Sequence, residues 1–169
     1  MRRIAFAAGC SLVIAAGQMV HGDPFVFVGV PPCELVSQPT KYSGRFVRVD
    51  SDLVDGGRGA FQLRADACAS GERVVIDFPD GRTGRTTSDF ELVRDAEFDR
   101  LMAFARVLHA PPDSLPGNIR VVVEGRFDSA HGKLFGWFVG YGHMKLFKSR
   151  LLLHRVVSVD VRPPVKKNL

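Results

Sequence analysis

With 169 residues, 46% of them hydrophobic and 24% charged, the chain is long enough for one domain with a real core and too short for several. Its 23 Lys and Arg against 18 Asp and Glu give a formal net charge of +5, a mild excess that attracts anionic surfaces in general and does not single out nucleic acid. Three cysteines without a CxxC pair argue against a zinc ribbon and against a thioredoxin-like redox centre.

The chain opens "MRRIAFAAGCSLVIAAGQMVHG". Arg2 and Arg3 precede an apolar run over residues 4 to 17, and a short polar stretch ends in Val20, His21 and Gly22. That is the three-part order of a secretory signal peptide, so residues 1–22 are expected to be cleaved after Gly22. The run is shorter than the roughly 20 apolar residues of a membrane span, which argues against an uncleaved anchor. "AAGC" at 7–10 resembles a lipoprotein box, but too few apolar residues precede Cys10. "RRIAF" lacks the rest of a twin-arginine pattern, so general secretion is the expected route to the periplasm or the exterior. No transmembrane anchor is expected after cleavage, and the loss of two arginines and no acid lowers the net charge from +5 to +3.

Cys10 leaves with the signal, and Cys33 and Cys68 remain. A single pair in an oxidising compartment predicts a disulfide. The 35-residue separation would stabilise the fold by about 3.8 kcal/mol in the chain-entropy description.

Residues 23–161 read as one domain, and 162–169 as a basic polar tail carrying Arg162, Lys166 and Lys167. "FVFVGV" at 25–30 is an extended lead-in. Pro31 and Pro32 then start a short helical turn, "CELVSQ", expected to stop near Pro39. Gly44 supplies a tight turn. "RFVRVDSDLV" follows as a half-buried strand, setting Phe46, Val47, Val49 and Leu53 against Arg45, Arg48, Asp50 and Asp52. "DGGRG" at 55–59 connects to strand two at 60–65, and "RVVIDF" at 73–78 is a third strand. Beyond the loop "PDGRTGRTT", the residues Phe98, Leu101, Met102, Ala105 and Leu108 recur at steps of three and four, which makes a helix with Asp95 or the pair Ser88 and Glu91 at its start. "APPDSLPGN" ends it. Strand four lies at 119–127 and strand five at 149–161.

Three strands, a helix and two strands, with antiparallel pairing open to them through short links, make a mainly β chain in the order of the five-stranded OB barrel. "LVSQPTKYSGRFVRV" at 35–49 resembles the Leu-x-x-x-Pro-x-x-Tyr-x-Gly-x-x-Val-x-Val opening of bacterial OB-fold proteins, including the tRNA_anti-like group and its small exported relatives. "VVVEGRF" at 121–127 is similar to their fourth strand, where Gly125 would let the strand coil. One departure is Ser51, where that opening has a glycine at the bend of strand one. An open sandwich with one helix is the competing fold.

In such a barrel ligands meet the face flanked by the loops between strands one and two and between strands four and five. The second loop, 128–148, carries Phe135, Trp137, Phe138, Tyr141 and Phe147 among glycines, His131 and His143, and Lys133, Lys145 and Lys148. Such rings either stack on a ligand or cover the barrel end. The ligand-binding candidates are therefore Arg58, Phe135, Trp137, Tyr141, His143 and Lys145. His131 and His143 with Asp128 lack a metal-site spacing, so no metal and no cofactor are expected. Asp77, Asp80 and Asp89 near Arg82 and Arg85 hint at phosphoester chemistry without an acid and base at diagnostic spacing. "GRTGR" is no P-loop. The sequence thus points to an exported non-enzymatic binding module for an envelope protein, glycan or anionic ligand, with nucleic acid ranked below these. A secreted hydrolase or nuclease on the same barrel is the alternative.

Overall fold

The computed structural model describes residues 24–55, 60–64, 68, 72–79, 89–108, 118–130, 140–141 and 147–162. Within them the chain runs β1 (Val28–Gly29), α1 (Pro32–Ser37), α2 (Pro39–Tyr42), β2 (Arg45–Asp55), β3 (Phe61–Leu63), β4 (Val74–Asp77), α3 (Ala96–Leu108), β5 (Asn118–Ser129) and β6 (Ser149–Arg162).

Pro32 starts α1, where a missing N–H costs nothing, and the helix presents Leu35 and Val36 to the core. α1 ends at Ser37, next to the stop expected near Pro39. Pro39 itself then opens a second turn, α2, because a missing N–H costs nothing there either. Tyr42 Oη and Lys41 Nζ both donate to Glu34 Oε1, and the Tyr42 bond above all holds that carboxyl below its usual range. Gly44 then sits at φ +82°, where a side chain is strained, and its N–H donates to Phe127 O at 2.7 Å.

β2 is the shared wall. Residues 45–53 pair antiparallel with β5 and residues 53–55 with β3. β3 pairs antiparallel with β4, and β5 with β6. The antiparallel pairings expected from short links do not close the ring by themselves. Closure is a parallel seam in which Val75, Ile76 and Asp77 face Arg150, Leu151 and Leu152. The result is a closed five-stranded mixed barrel of OB-like order, with β1 added parallel on the outer edge of β2.

Alternation fills the inside with Val47, Val49, Leu53, Leu63, Val74, Ile76, Val121, Val123, Phe127, Leu151, Leu153 and Val156, all buried. Phe46, one position out of that parity, faces outward instead. Ser51, at the expected bend, points inward and donates to Arg64 O at 2.9 Å, so a hydroxyl bond to the end of β3 stands where the resemblance has a glycine. The tight position is Gly125, where β6 shifts register between Glu124 and Gly125 and a Cβ would lie 2.2 Å from Leu152 O.

Asp95 is the cap of α3, accepting the Phe98 N–H at 3.1 Å. Phe98 and Leu101 face the core, and Glu97 Oε2 accepts the Val159 N–H at 2.9 Å, which ties the helix to β6. No helix among the described residues is long and apolar enough to cross a membrane. Cys33 and Cys68 form the expected disulfide, with Cα atoms 5.3 Å apart.

Candidate functional site

The outward positions of β3 and β4, between the two interstrand loops, are Gln62, Val75 and Asp77. All three are buried, at 3%, 1% and 5% exposure, so this face carries cover rather than bare strand. Polar side chains provide part of it. Arg73 Nη1 donates to Gln62 Oε1 at 3.1 Å. Arg150, next to Val75 across the parallel seam, donates through Nη1 to Asp77 Oδ2 at 3.3 Å. Its Nε and Nη2 both reach Asp128 Oδ2, at 3.0 and 2.9 Å. Arg126 takes the other oxygen of Asp128 at 3.2 Å and extends to Asp89 Oδ1 at 2.7 Å. Two guanidinium groups thus link three carboxylates across β4, β5 and β6.

Tyr141 lies against this network, its ring centroid 4.6 Å from the Arg150 guanidinium carbon. Its backbone pairs with Phe147 as an isolated antiparallel bridge, N–H to O at 2.8 Å and 3.2 Å in the two directions. Both residues are half-buried. Burial first, and the negative charge of Asp128 second, push the Tyr141 phenol above its usual range. Chemically the face offers planar guanidinium edges, one aromatic plane and balanced charge. A partner's anion could compete with the carboxylates for arginine donors, and a flat ring could stack beside Tyr141.

Of the residues proposed from sequence, Tyr141 stands on this face. Arg58, Phe135, Trp137, His143 and Lys145 lie outside the described residues, as do His131, Asp80, Arg82 and Arg85. Asp77 and Asp89 are brought into one network, joined through Arg150, Asp128 and Arg126. Among the described residues no three His, Cys, Asp or Glu side chains gather as metal ligands.

Two features went unseen in the sequence. Phe25, Phe27, Phe46, Phe90 and His154 form an aromatic cluster on the outside of the barrel, with Phe25 stacked on Phe46 at 4.3 Å and Phe27 on His154 at 5.7 Å. His154 Nδ1 lies 2.8 Å from Glu91 O, and since a carbonyl only accepts, that nitrogen carries the proton. Strand parity was the available signal, because Phe46 alternates with the core valines. The second feature is an open groove of about 540 Å³ lined by Gly29, Val30, Pro31, Pro32, Arg48, Asp50 and Val122. Arg48 Nε donates to the buried Glu124 at 2.8 Å, and Arg120 grips Asp50 with two bonds that hold that carboxyl below its usual range.

Compared with models of known protein families, with curated proteins and with solved structures, the chain matches none.

Proposed function

We propose that this protein is an exported, non-enzymatic binding module, akin to the small exported tRNA_anti-like OB-fold proteins. Its ligand, an envelope protein, glycan or other anionic group, would meet the outer face of β3, β4 and β6. The observation that carries the reading is the Tyr141 ring against Arg150, on the face where barrels of this order receive ligands. The Cys33–Cys68 bridge supports the exported part of the reading, since such bridges persist in oxidising compartments.

The test pairs thermal melting with capture from envelope extract for the Tyr141→Ala and Trp137→Ala proteins. Each replacement should weaken capture by about 1–3 kcal/mol while melting stays near that of the parent. Lowered melting with unaltered capture would overturn the reading. Export is tested separately by intact mass: the protein recovered from the periplasm or medium should begin near Asp23. Retention of residues 1–22, or lipid on Cys10, would refute that part alone.

Hydrolysis is the second reading, favoured by the convergence of Asp77, Asp89 and Asp128 on Arg126 and Arg150. Turnover of single-stranded DNA or a chromogenic phosphodiester, abolished by Asp77→Asn in a folded protein, would replace the binding reading.

A further inference from the structure

β1 ends the sheet. Arg48 O accepts the Val30 N–H at 3.0 Å, and the register sets Val28 beside Val47 and Gly29 beside Arg48. In a parallel ladder the main-chain groups alternate sides. Those of Val28 therefore face β2, and the N–H and C=O of Phe27 and Gly29 point away from it, to an edge that no described strand occupies. A Cβ built on Gly29 meets nothing within 4 Å. Val26 is 85% exposed and Val28 47%, and these stand out among the exposed large apolar side chains. Exposed edges usually carry lysine, a bulge or an inward charge that discourages pairing, whereas residues 24–33 contain no charge at all.

We propose that this edge pairs with the same edge of a second copy of the chain, antiparallel about a two-fold axis at Val28. That register brings Phe27 opposite Gly29 of the other copy, and Gly29 opposite its Phe27. These are the residues whose N–H and C=O point outward, so four main-chain hydrogen bonds form. Val28 then faces its own counterpart in a non-hydrogen-bonded pair, where side chains approach most closely. Each glycine, with open space over it, lies across from an aromatic side chain, a cross-strand pairing that shields glycine in sheets. A second copy suits the strip better than a charged segment would, because the two-fold sets apolar against apolar and buries no charge. Pro24 and Pro31 bound the strip, so only one short strand pair forms. Association is weak, below what the roughly 1,200 Å² of a standard interface supports.

Sedimentation equilibrium of the purified protein tests this with three samples. The parent chain should pass from one copy to two as concentration rises. Val28→Lys and Val28→Glu should each remain single at the same concentrations, since each sets like charges face to face. An equal mixture of the two variants should regain the dimer. The half-exposed position tolerates both changes, and near-ultraviolet circular dichroism checks that each variant is folded. Amide hydrogen exchange at Phe27 and Gly29 in the parent protein needs no variant and should slow with concentration. A parent that stays single up to about 1 mM overturns the proposal, as does a mixture no more associated than its parts. Dimerisation untouched by both variants, or exchange at Phe27 and Gly29 independent of concentration, also overturns it.

Discussion

A Cβ on Gly125 would lie 2.2 Å from Leu152 O and 3.2 Å from Leu153 Cα, both main-chain atoms of the neighbouring strand, so nothing soft can yield. Gly44 has the opposite character: open space surrounds it, and only its φ of +82° resists a side chain. Gly125→Ala should therefore cost about 3 kcal/mol through overpacking, and Gly44→Ala about 1–2 kcal/mol through backbone strain. Urea unfolding of the two variants checks the order, and a larger loss at Gly44 would contradict the account. Both glycines could be read in the sequence, one from the turn after Tyr42 and one from the strand motif. The aromatic cover that Phe46 and His154 help build could not, because a strand pattern separates two faces without saying that the outer one is also covered. Tyr141 was singled out for its plane, but its seat on Arg150 depends on the parallel seam. Because burial raises its phenol, spectrophotometric titration of the Tyr42→Phe protein, which leaves Tyr141 as the remaining tyrosine, should show a midpoint above the ordinary value of about 10. The raised folded value means that its contribution to stability is complete below pH 10 and declines as pH climbs through the folded midpoint. A midpoint at or below 10 would mean that the ring is not seated as described.

At the scale of elements, the long strands were legible because apolar and polar residues alternate through much of "RFVRVDSDLV", "IRVVVEGRF" and "SRLLLHRVVSVDV", broken at Phe46 and at the register shifts of β6, and α3 because its apolar positions switch to steps of three and four. Two elements were not. α2 hides because a proline reads equally as a stop and as a first helical residue, and only the tertiary seat of Tyr42 decides between them. β1 hides because two residues carry no period, and its parallel pairing comes from the vacant upper edge of β2, which β3 reaches only at Leu53–Asp55. The disulfide links these scales. Cys33 lies in α1 and Cys68 beyond β3, so the bridge holds the helical entry against a wall strand across 35 residues of sequence. Replacing both cysteines with serine should lower stability by about 3.8 kcal/mol, the loop-closure entropy returned to the unfolded chain. Equal urea midpoints for the parent and the double variant would show that the bridge constrains nothing.

Across the whole molecule, the barrel is closed by a short parallel wall. β5 pairs along nearly its full length with β2 on one side and with β6 on the other, whereas the β4–β6 seam spans the three pairs Val75–Arg150, Ile76–Leu151 and Asp77–Leu152. Arg150 bridges that seam, one nitrogen on Asp77 of β4 and two on Asp128 of β5, with all three side chains at most 16% exposed. Arg150→Ala takes the guanidinium from Asp77, whose side chain is 6% exposed, while Asp128 keeps Arg126. Removing a guanidinium partner from a buried carboxylate should cost about 1–3 kcal/mol, beyond the value of an exposed ion pair. The loss should be local before it is global: amide exchange in Val74–Asp77 should accelerate ahead of exchange in β5, because the seam opens while the β2–β5–β6 walls persist. Adding Asp77→Asn to Arg150→Ala should recover part of the stability, since a buried amide needs a cationic partner less than a carboxylate does, while the lost clasp itself is not restored. If Arg150→Ala costs less than about 1 kcal/mol, or β4 exchanges no faster than β5, then the apolar pairs alone hold the barrel shut and the arginine network is surface chemistry.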